Sequence, residues 1–300
     1  MKMKTRDIAY FPLYLYLKLH ALLPLPVLYI LADILYFPLY YLIRYRRKRV
    51  RANLSACFPH KEKKEIISIE KKFYRHFCDY VVETIKILHI SDEETKRRMV
   101  FTNVDLVQNI LDKGQPCIML LGHYGNWEWV PSVTLWLDKR DYFLSQVYRP
   151  LKNKWFDNFF LHLRSRYGTT NIAKQDTLRT MLHYKASGRS ALTGFMADQT
   201  PSPANIHYRT SFLGREGTAV LTGVEKIARK TGFAVVYLDV ECTKRGYYTA
   251  TYRLISDTPQ QTKEFEITEK YTREMEKTIL RAPQYWLWTH NRWKHNLPQT

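Results

Sequence analysis

The stretch Cys117-Ile118-Met119-Leu120-Leu121-Gly122-His123-Tyr124-Gly125-Asn126-Trp127-Glu128 runs from five consecutive apolar residues into two glycines, a histidine and, four residues beyond the histidine, a carboxylate. An apolar run of that length ended by glycine reads as a strand buried on both faces, as in parallel sheets. Gly122 and Gly125 loosen the backbone around the imidazole, and Asn126 is placed to cap a helix beginning at Trp127. His123 is therefore expected on a strand-to-helix loop. Glu128 falls in the first helical turn, where one turn of chain brings its carboxylate back to an imidazole nitrogen. Held that way, the other nitrogen is free to take a proton, which is the arrangement of a general base activating a hydroxyl for attack on an acyl carbonyl. The same residues also suit a loop histidine salt-bridged to Glu128 merely to pin a turn, so the surroundings decide.

Outward from this stretch the pattern alternates. Helical spacing occurs at 104–111, 127–137, 155–163, 177–184, 219–229 and 265–280, and strand-like runs at 142–147, 191–196, 234–240 and 247–254. This order predicts an α/β fold with a mainly parallel central sheet flanked by helices and a final antiparallel pair. Ligands in open α/β sheets gather at the carboxyl ends of strands, where His123 is expected. Two further strands also end in polar residues, at Gln146-Val147-Tyr148-Arg149-Pro150 and Met196-Ala197-Asp198-Gln199-Thr200-Pro201. Arg149 is a candidate for binding phosphate or stabilising an oxyanion, and Asp198 for orienting Arg149 or a substrate hydroxyl or amine; a plain Arg149–Asp198 ion pair is the alternative. Asn126 and Gln199 are candidates for substrate or oxyanion contacts.

Residues 22–43 are almost wholly apolar, long enough to cross a bilayer, and run into Arg44-Tyr45-Arg46-Arg47-Lys48-Arg49-Val50-Arg51. Pro24, Pro26 and Pro38 interrupt the segment, Asp33 sits near its middle, and Lys2, Lys4 and Arg6 make its other flank basic, so a monotopic or hairpin anchor competes with a span. Tyr29, Tyr36, Tyr40, Tyr41 and Tyr45 suit a membrane interface. The expected division is an N-terminal anchor with its polybasic flank, 1–51, and a catalytic domain, 52–300, facing the cytoplasm by the positive-inside rule. Residues 63–88 carry apolar positions at steps of three and four and predict a long amphipathic helix packed on the core.

A formal charge of +19, from 47 Lys and Arg against 28 Asp and Glu, calls for an anionic partner: nucleic acid, lipid headgroups, phosphorylated lipid or an acidic carrier protein. The basic residues concentrate beside an apolar segment and no recognition motif appears, which disfavours nucleic acid. A non-catalytic membrane scaffold is the remaining alternative. Cys57, Cys78, Cys117 and Cys242 form no C-x-x-C, and H-E-x-x-H is absent, so a reducing compartment and no metal or other cofactor are expected. The stretch 212–219 follows a loop and reads as the opening of a helix, offering Arg215 and backbone N–H groups to an anion. Residues 284–294 mix indoles with cations, as suits either an interface or lid over an acyl chain or ordinary packing.

Taken together, Arg51-Ala52-Asn53-Leu54-Ser55-Ala56-Cys57-Phe58-Pro59, the 122–128 block, Tyr148-Arg149-Pro150, Asp198-Gln199, Phe212-Leu213-Gly214 and Trp288-Thr289-His290-Asn291-Arg292-Trp293-Lys294 resemble the late lipid A biosynthesis acyltransferases, the Kdo-dependent lauroyl and myristoyl transferases of the lysophospholipid acyltransferase superfamily. The resemblance implies an enzyme of the bacterial inner membrane. Such an enzyme takes a fatty acyl group from acyl carrier protein, less often coenzyme A, to a hydroxyl of a phosphorylated glycolipid precursor of lipid A. It further implies His123 as base, Glu128 as its partner, and Arg149 and Asp198 as active-site residues. Arg215, Arg292 and Lys294 stand as candidate phosphate or headgroup contacts.

Overall fold

The computed structural model describes residues 9–138 and 142–295; the basic residues Lys2, Lys4 and Arg6 lie outside the described residues. Nine strands are described, β1 Met99–Thr102, β2 Cys117–Leu121, β3 Phe143–Tyr148, β4 Thr170–Ala173, β5 Ala191–Met196, β6 Arg209–Phe212, β7 Arg215–Ala219, β8 Ala234–Lys244 and β9 Tyr247–Ser256. Seven of them form one sheet in the order β1-β9-β8-β2-β5-β3-β4, parallel from β8 to β4, with β9 antiparallel to β8 and β1 parallel to β9. The expected α/β architecture with a mainly parallel sheet and a closing antiparallel pair is thus observed. β2, the apolar run, is buried along its whole length between β5 and β8. Burial also pushes the Cys117 thiol above its ordinary range, which suits a core residue.

Ten α-helices accompany the sheet among the described residues: α1 Phe11–Leu22, α2 Leu25–Phe37, α3 Arg47–Cys57, α4 Lys63–Lys86, α5 Asp92–Arg98, α6 Val104–Asp112, α7 Lys154–Arg164, α8 Thr177–Ala186, α9 Gly223–Thr231 and α10 Glu266–Arg281. The expected helix after Asn126 is a 3₁₀ stretch, Trp127–Leu135, because Pro131 inside it has no N–H to offer an α-helical bond. Nor does a helix open at 212–219. Those residues are the turn and second strand of a hairpin, β6–β7, with Leu213 (φ 53°) and Gly214 (φ 71°) both left-handed at the turn, and α9 begins only at Gly223.

The N-terminal apolar segment is broken at Pro24, whose extended backbone separates α1 from α2. α2 continues through a π-helical turn, Pro38–Ile43, so that Leu25–Ile43 is one helix of 19 residues long and apolar enough to cross a membrane. One face of it packs on α4 through Leu25, Leu28, Ala32, Tyr36 and Tyr40; the other leaves Ile30, Ile34, Phe37, Leu42 and Ile43 exposed. Three of the tyrosines expected at an interface, Tyr29, Tyr36 and Tyr40, point inward instead, and two of these phenols meet a buried carboxylate. Tyr29 donates to Glu83 (2.9 Å) and Tyr40 to Glu70 (2.8 Å). Asp33 is likewise not left to hydrocarbon, since Arg245 binds it bidentately at 2.8 and 3.0 Å.

α4 is covered far beyond its apolar stripe. Its buried ionisable residues find partners on other elements: Glu70 on Arg51, Asp79 on Arg245, His76 on the Gly125 carbonyl, and Lys86 on the Ala21 and Leu23 carbonyls at the end of α1. Glu83 is the most connected, accepting from Tyr29, Asn126 (2.7 Å) and Tyr248 (2.8 Å). Burial pushes its carboxyl up to about 7 in spite of these donors. A folded-state value above the unfolded one means that its contribution to stability is full below about pH 4 and lost as pH rises through about 7. Glu83→Gln should flatten that decline in denaturant unfolding measured across the same window; an unchanged pH dependence would show that Glu83 is not its source.

Candidate active site

The loop after β2 is fixed from behind by its glycines and by the C-terminal segment. A Cβ on Gly122 would lie 2.3 Å from the Met275 methyl, and Gly125 (φ +60°) would press on Tyr248 and Val240 at 3.2 Å. The Gly125 N–H donates to the Tyr285 carbonyl (3.0 Å), and the Leu287 N–H to the His123 carbonyl (3.0 Å). Residues 284–293 are therefore packing rather than a lid. Trp286, Trp288 and Trp293 are buried, and Asn53 of α3 donates to the Trp288 and His290 carbonyls.

Because β5 lies beside β2 in the sheet, the carboxyl ends of the two strands bring His123 and Asp198 together. One Asp198 oxygen accepts from His123 Nδ1 at 2.7 Å; the other accepts the His123 backbone N–H at 2.9 Å and the Trp286 indole N–H at 2.8 Å. Burial of Asp198 pushes its carboxyl up, but the imidazole and these two N–H donors outweigh burial and hold it at about 2. An ionised carboxylate on Nδ1–H leaves Nε2 as the lone-pair nitrogen, and the Gln199 side-chain amide lies 3.2 Å from it. His123 and Gln199 open onto a cavity of about 870 Å³ that also reaches Glu128, Arg149, Arg164 and Lys294.

Glu128 is not the carboxylate on His123. It is buried and holds Arg164, at the end of α7, through two bonds of 2.8 and 2.6 Å; a bidentate guanidinium is a stronger partner than the imidazole one turn away. Arg164 carried no signal in the sequence, since a basic residue in the last turn of a helix is ordinary. Removing one member of a buried ion pair leaves the other charge uncompensated, so Glu128→Ala should cost about 3–5 kcal/mol of stability in chemical denaturation. The double replacement Glu128→Met with Arg164→Leu should cost less. Full stability with complete loss of turnover in Glu128→Ala would instead put Glu128 in the chemistry.

Other expected residues divide by position. Asn126 makes no cap; it is buried, donates to Glu83 and does not line the cavity. Asp198 pairs with His123 and not with Arg149. Arg292 is buried, donates to the Ala219 carbonyl at 2.7 Å and lies over the Phe212 ring, so its charge fastens the β6–β7 hairpin to the C-terminal segment. Arg215 lies over the Trp293 ring. Neither arginine lines the cavity, whereas Lys294 does.

A carboxylate-held imidazole beside an apolar cavity is suited to deprotonating a hydroxyl next to a bound acyl group. The proteins this chain is similar to are acyltransferases. Over 247 residues, 81% of this chain and 74% of the relative, it is 20% identical to a lipid A biosynthesis acyltransferase of Haemophilus influenzae. Over 280 residues, 91% of this chain and 87% of the relative, it is 23% identical to the lipid A biosynthesis lauroyltransferase of Escherichia coli K12. With residues 2–295 matching the family as a whole, the chain belongs to the bacterial lipid A biosynthesis acyltransferases.

Proposed function

We propose that this acyltransferase moves a fatty acyl group from the thioester of acyl carrier protein to a hydroxyl of a phosphorylated glycolipid precursor of lipid A, at the cytoplasmic face of the bacterial inner membrane. The observation that carries this reading is His123, with Nδ1 held by buried Asp198 and Nε2 turned to the cavity. Nε2 takes the acceptor proton as the hydroxyl oxygen attacks the thioester carbonyl. The tetrahedral intermediate collapses with cleavage of the carbon–sulfur bond, and the same proton passes to the departing thiolate. Gln199 vacates Nε2 for the hydroxyl, and Arg149 meets the developing oxyanion or the phosphate of a substrate. No acyl-enzyme is needed, because acceptor and donor share one cavity.

Charge and apolar surface support both substrates. Arg149, Lys174 and Lys294 in the cavity wall suit an anionic acceptor and an acidic carrier. The exposed apolar residues of α1 include Phe11, Leu15 and Leu19. Tyr10, just before that helix, stacks on Trp155 (4.9 Å) at the start of α7. Leu151, exposed beside α7, lines the cavity. These apolar residues lie between the helices proposed as the anchor and the cavity, and support entry of a lipid acceptor from that side. Lys48 and Arg49 are exposed just beyond Leu25–Ile43, where each cation adds about 1 kcal/mol of attraction to an anionic leaflet.

The test is mass spectrometry of lipid A from cells with and without the gene, alongside purified enzyme given acyl carrier thioester, acyl coenzyme A and a lipid A precursor. The expected result is one acyl group fewer in the deletion and transfer from the carrier thioester in vitro. An unchanged acyl count would point to another glycolipid acceptor, and faster turnover with coenzyme A would reverse the donor.

A further inference from the structure

Gly194 is the one glycine in β2, β3 and β5, the three strands whose carboxyl ends carry the site. A glycine inside a strand weakens it and marks a place where something must approach closely. Its backbone is not left-handed, and the nearest atoms to an added Cβ are the Met119 methyl at 3.3 Å and the Gln146 Cβ at 3.8 Å, so neither conformation nor crowding by backbone demands glycine here. The register explains what does. Gly194 lies opposite Met119 of β2 and Gln146 of β3, and Leu192 opposite Leu144, so these side chains share one face of the sheet, and all of them line the cavity that His123 faces. At ~3.3 Å per residue, Gly194 lies about 7 Å and Leu192 about 13 Å back from Met196 at the end of β5, a depth on the scale of a medium-length saturated chain. The amide of Gln146 is occupied by Asn171 (2.8 Å), so the groups that meet a chain here are carbon and the soft Met119 thioether.

We infer that Gly194 and Met119 together set the length of acyl chain the enzyme transfers: the missing side chain at 194 leaves the channel through which the chain passes, and the adjustable Met119 forms its side. This rests on the acyl-transfer reading of the same cavity. A valine at 194 suits a strand and projects two methyls into the channel, whereas alanine at 119 removes three heavy atoms from its wall.

Wild type, Gly194→Val, Gly194→Ala and Met119→Ala are to be assayed with a graded series of saturated acyl carrier thioesters from octanoyl to stearoyl, each variant's fold being followed by its unfolding transition. The two replacements at 194 should move the preferred donor shorter, valine more than alanine, with kcat/KM for the longest donors falling about 10-fold or more relative to the short ones. Met119→Ala should move the preference longer. Folded variants that keep the wild-type profile, or that lose all lengths equally, would overturn the assignment. Should valine unfold the strand, Gly194→Ala and Met119→Ala decide it by their opposite directions. Wild type that transfers nothing from any thioester would instead sink the functional reading itself.

Discussion

His123→Ala should lower turnover by about 10²–10⁴ while the protein remains folded. The loop does not need the imidazole for its shape, because the His123 N–H and carbonyl are bonded to Asp198 and Leu287 through the backbone, which alanine retains. What alanine removes is the proton acceptor at Nε2 and the Nδ1–H donor that helps to hold the Asp198 carboxyl at about 2. Stability at neutral pH should therefore fall somewhat, and the Asp198 carboxyl should rise toward the ordinary range. Steady-state kinetics with acyl carrier thioester checks the first expectation. Turnover near wild type in folded His123→Ala would eliminate general-base catalysis at this position.

Asp198→Asn is expected to be nearly as damaging, for a reason that lies in hydrogen-bond polarity. One carboxylate oxygen serves two donors, the His123 backbone N–H and the Trp286 indole, so the amide oxygen of an asparagine must take that side. Its NH₂ then faces Nδ1 and requires that nitrogen to accept. The imidazole proton is driven to Nε2, where the base should have been. Size and shape scarcely change, so a fall of about 10²–10⁴ in kcat with an intact unfolding transition would separate control of the tautomer from packing. Asp198 has its folded value depressed, so its contribution to stability is present above about pH 4, the ordinary carboxylate range, and disappears as pH falls through about 2. The asparagine variant should lack that acid-side loss. Wild-type kcat in Asp198→Asn would remove Asp198 from the mechanism.

The fold was legible where one element type dominated a long enough run. β2, β3 and β5 show as apolar runs ended by glycine, proline or polar residues, and α10 by its spacing. β1 and β4, with four residues each, are too short to display a period. The β6–β7 turn places leucine, which rarely adopts the left-handed region, where Asn-Gly would announce a hairpin, so the glycines at 214 and 217 mislead. At the site, His123 and Asp198 each stood out at a strand end. Their pairing did not, because it depends on β5 being inserted between β2 and β3, and sheet order is not written in local spacing. Glu128 drew the assignment by proximity in sequence; the partner that claimed it, Arg164, lies 36 residues away.

Tyr29 of the apolar helix and Asn126 of the catalytic loop bind the same buried carboxylate, Glu83. An anchor is ordinarily a tether, indifferent to the machine it holds. Here the helix proposed as the tether and the loop that carries His123 are fastened to the same buried side chain. Cutting the chain after residue 51 would take Tyr29 from Glu83, Asp33 from Arg245 and the apolar cover from α4. With this helix as the membrane anchor proposed above, its seating in the bilayer and the placement of His123 share that one point of support.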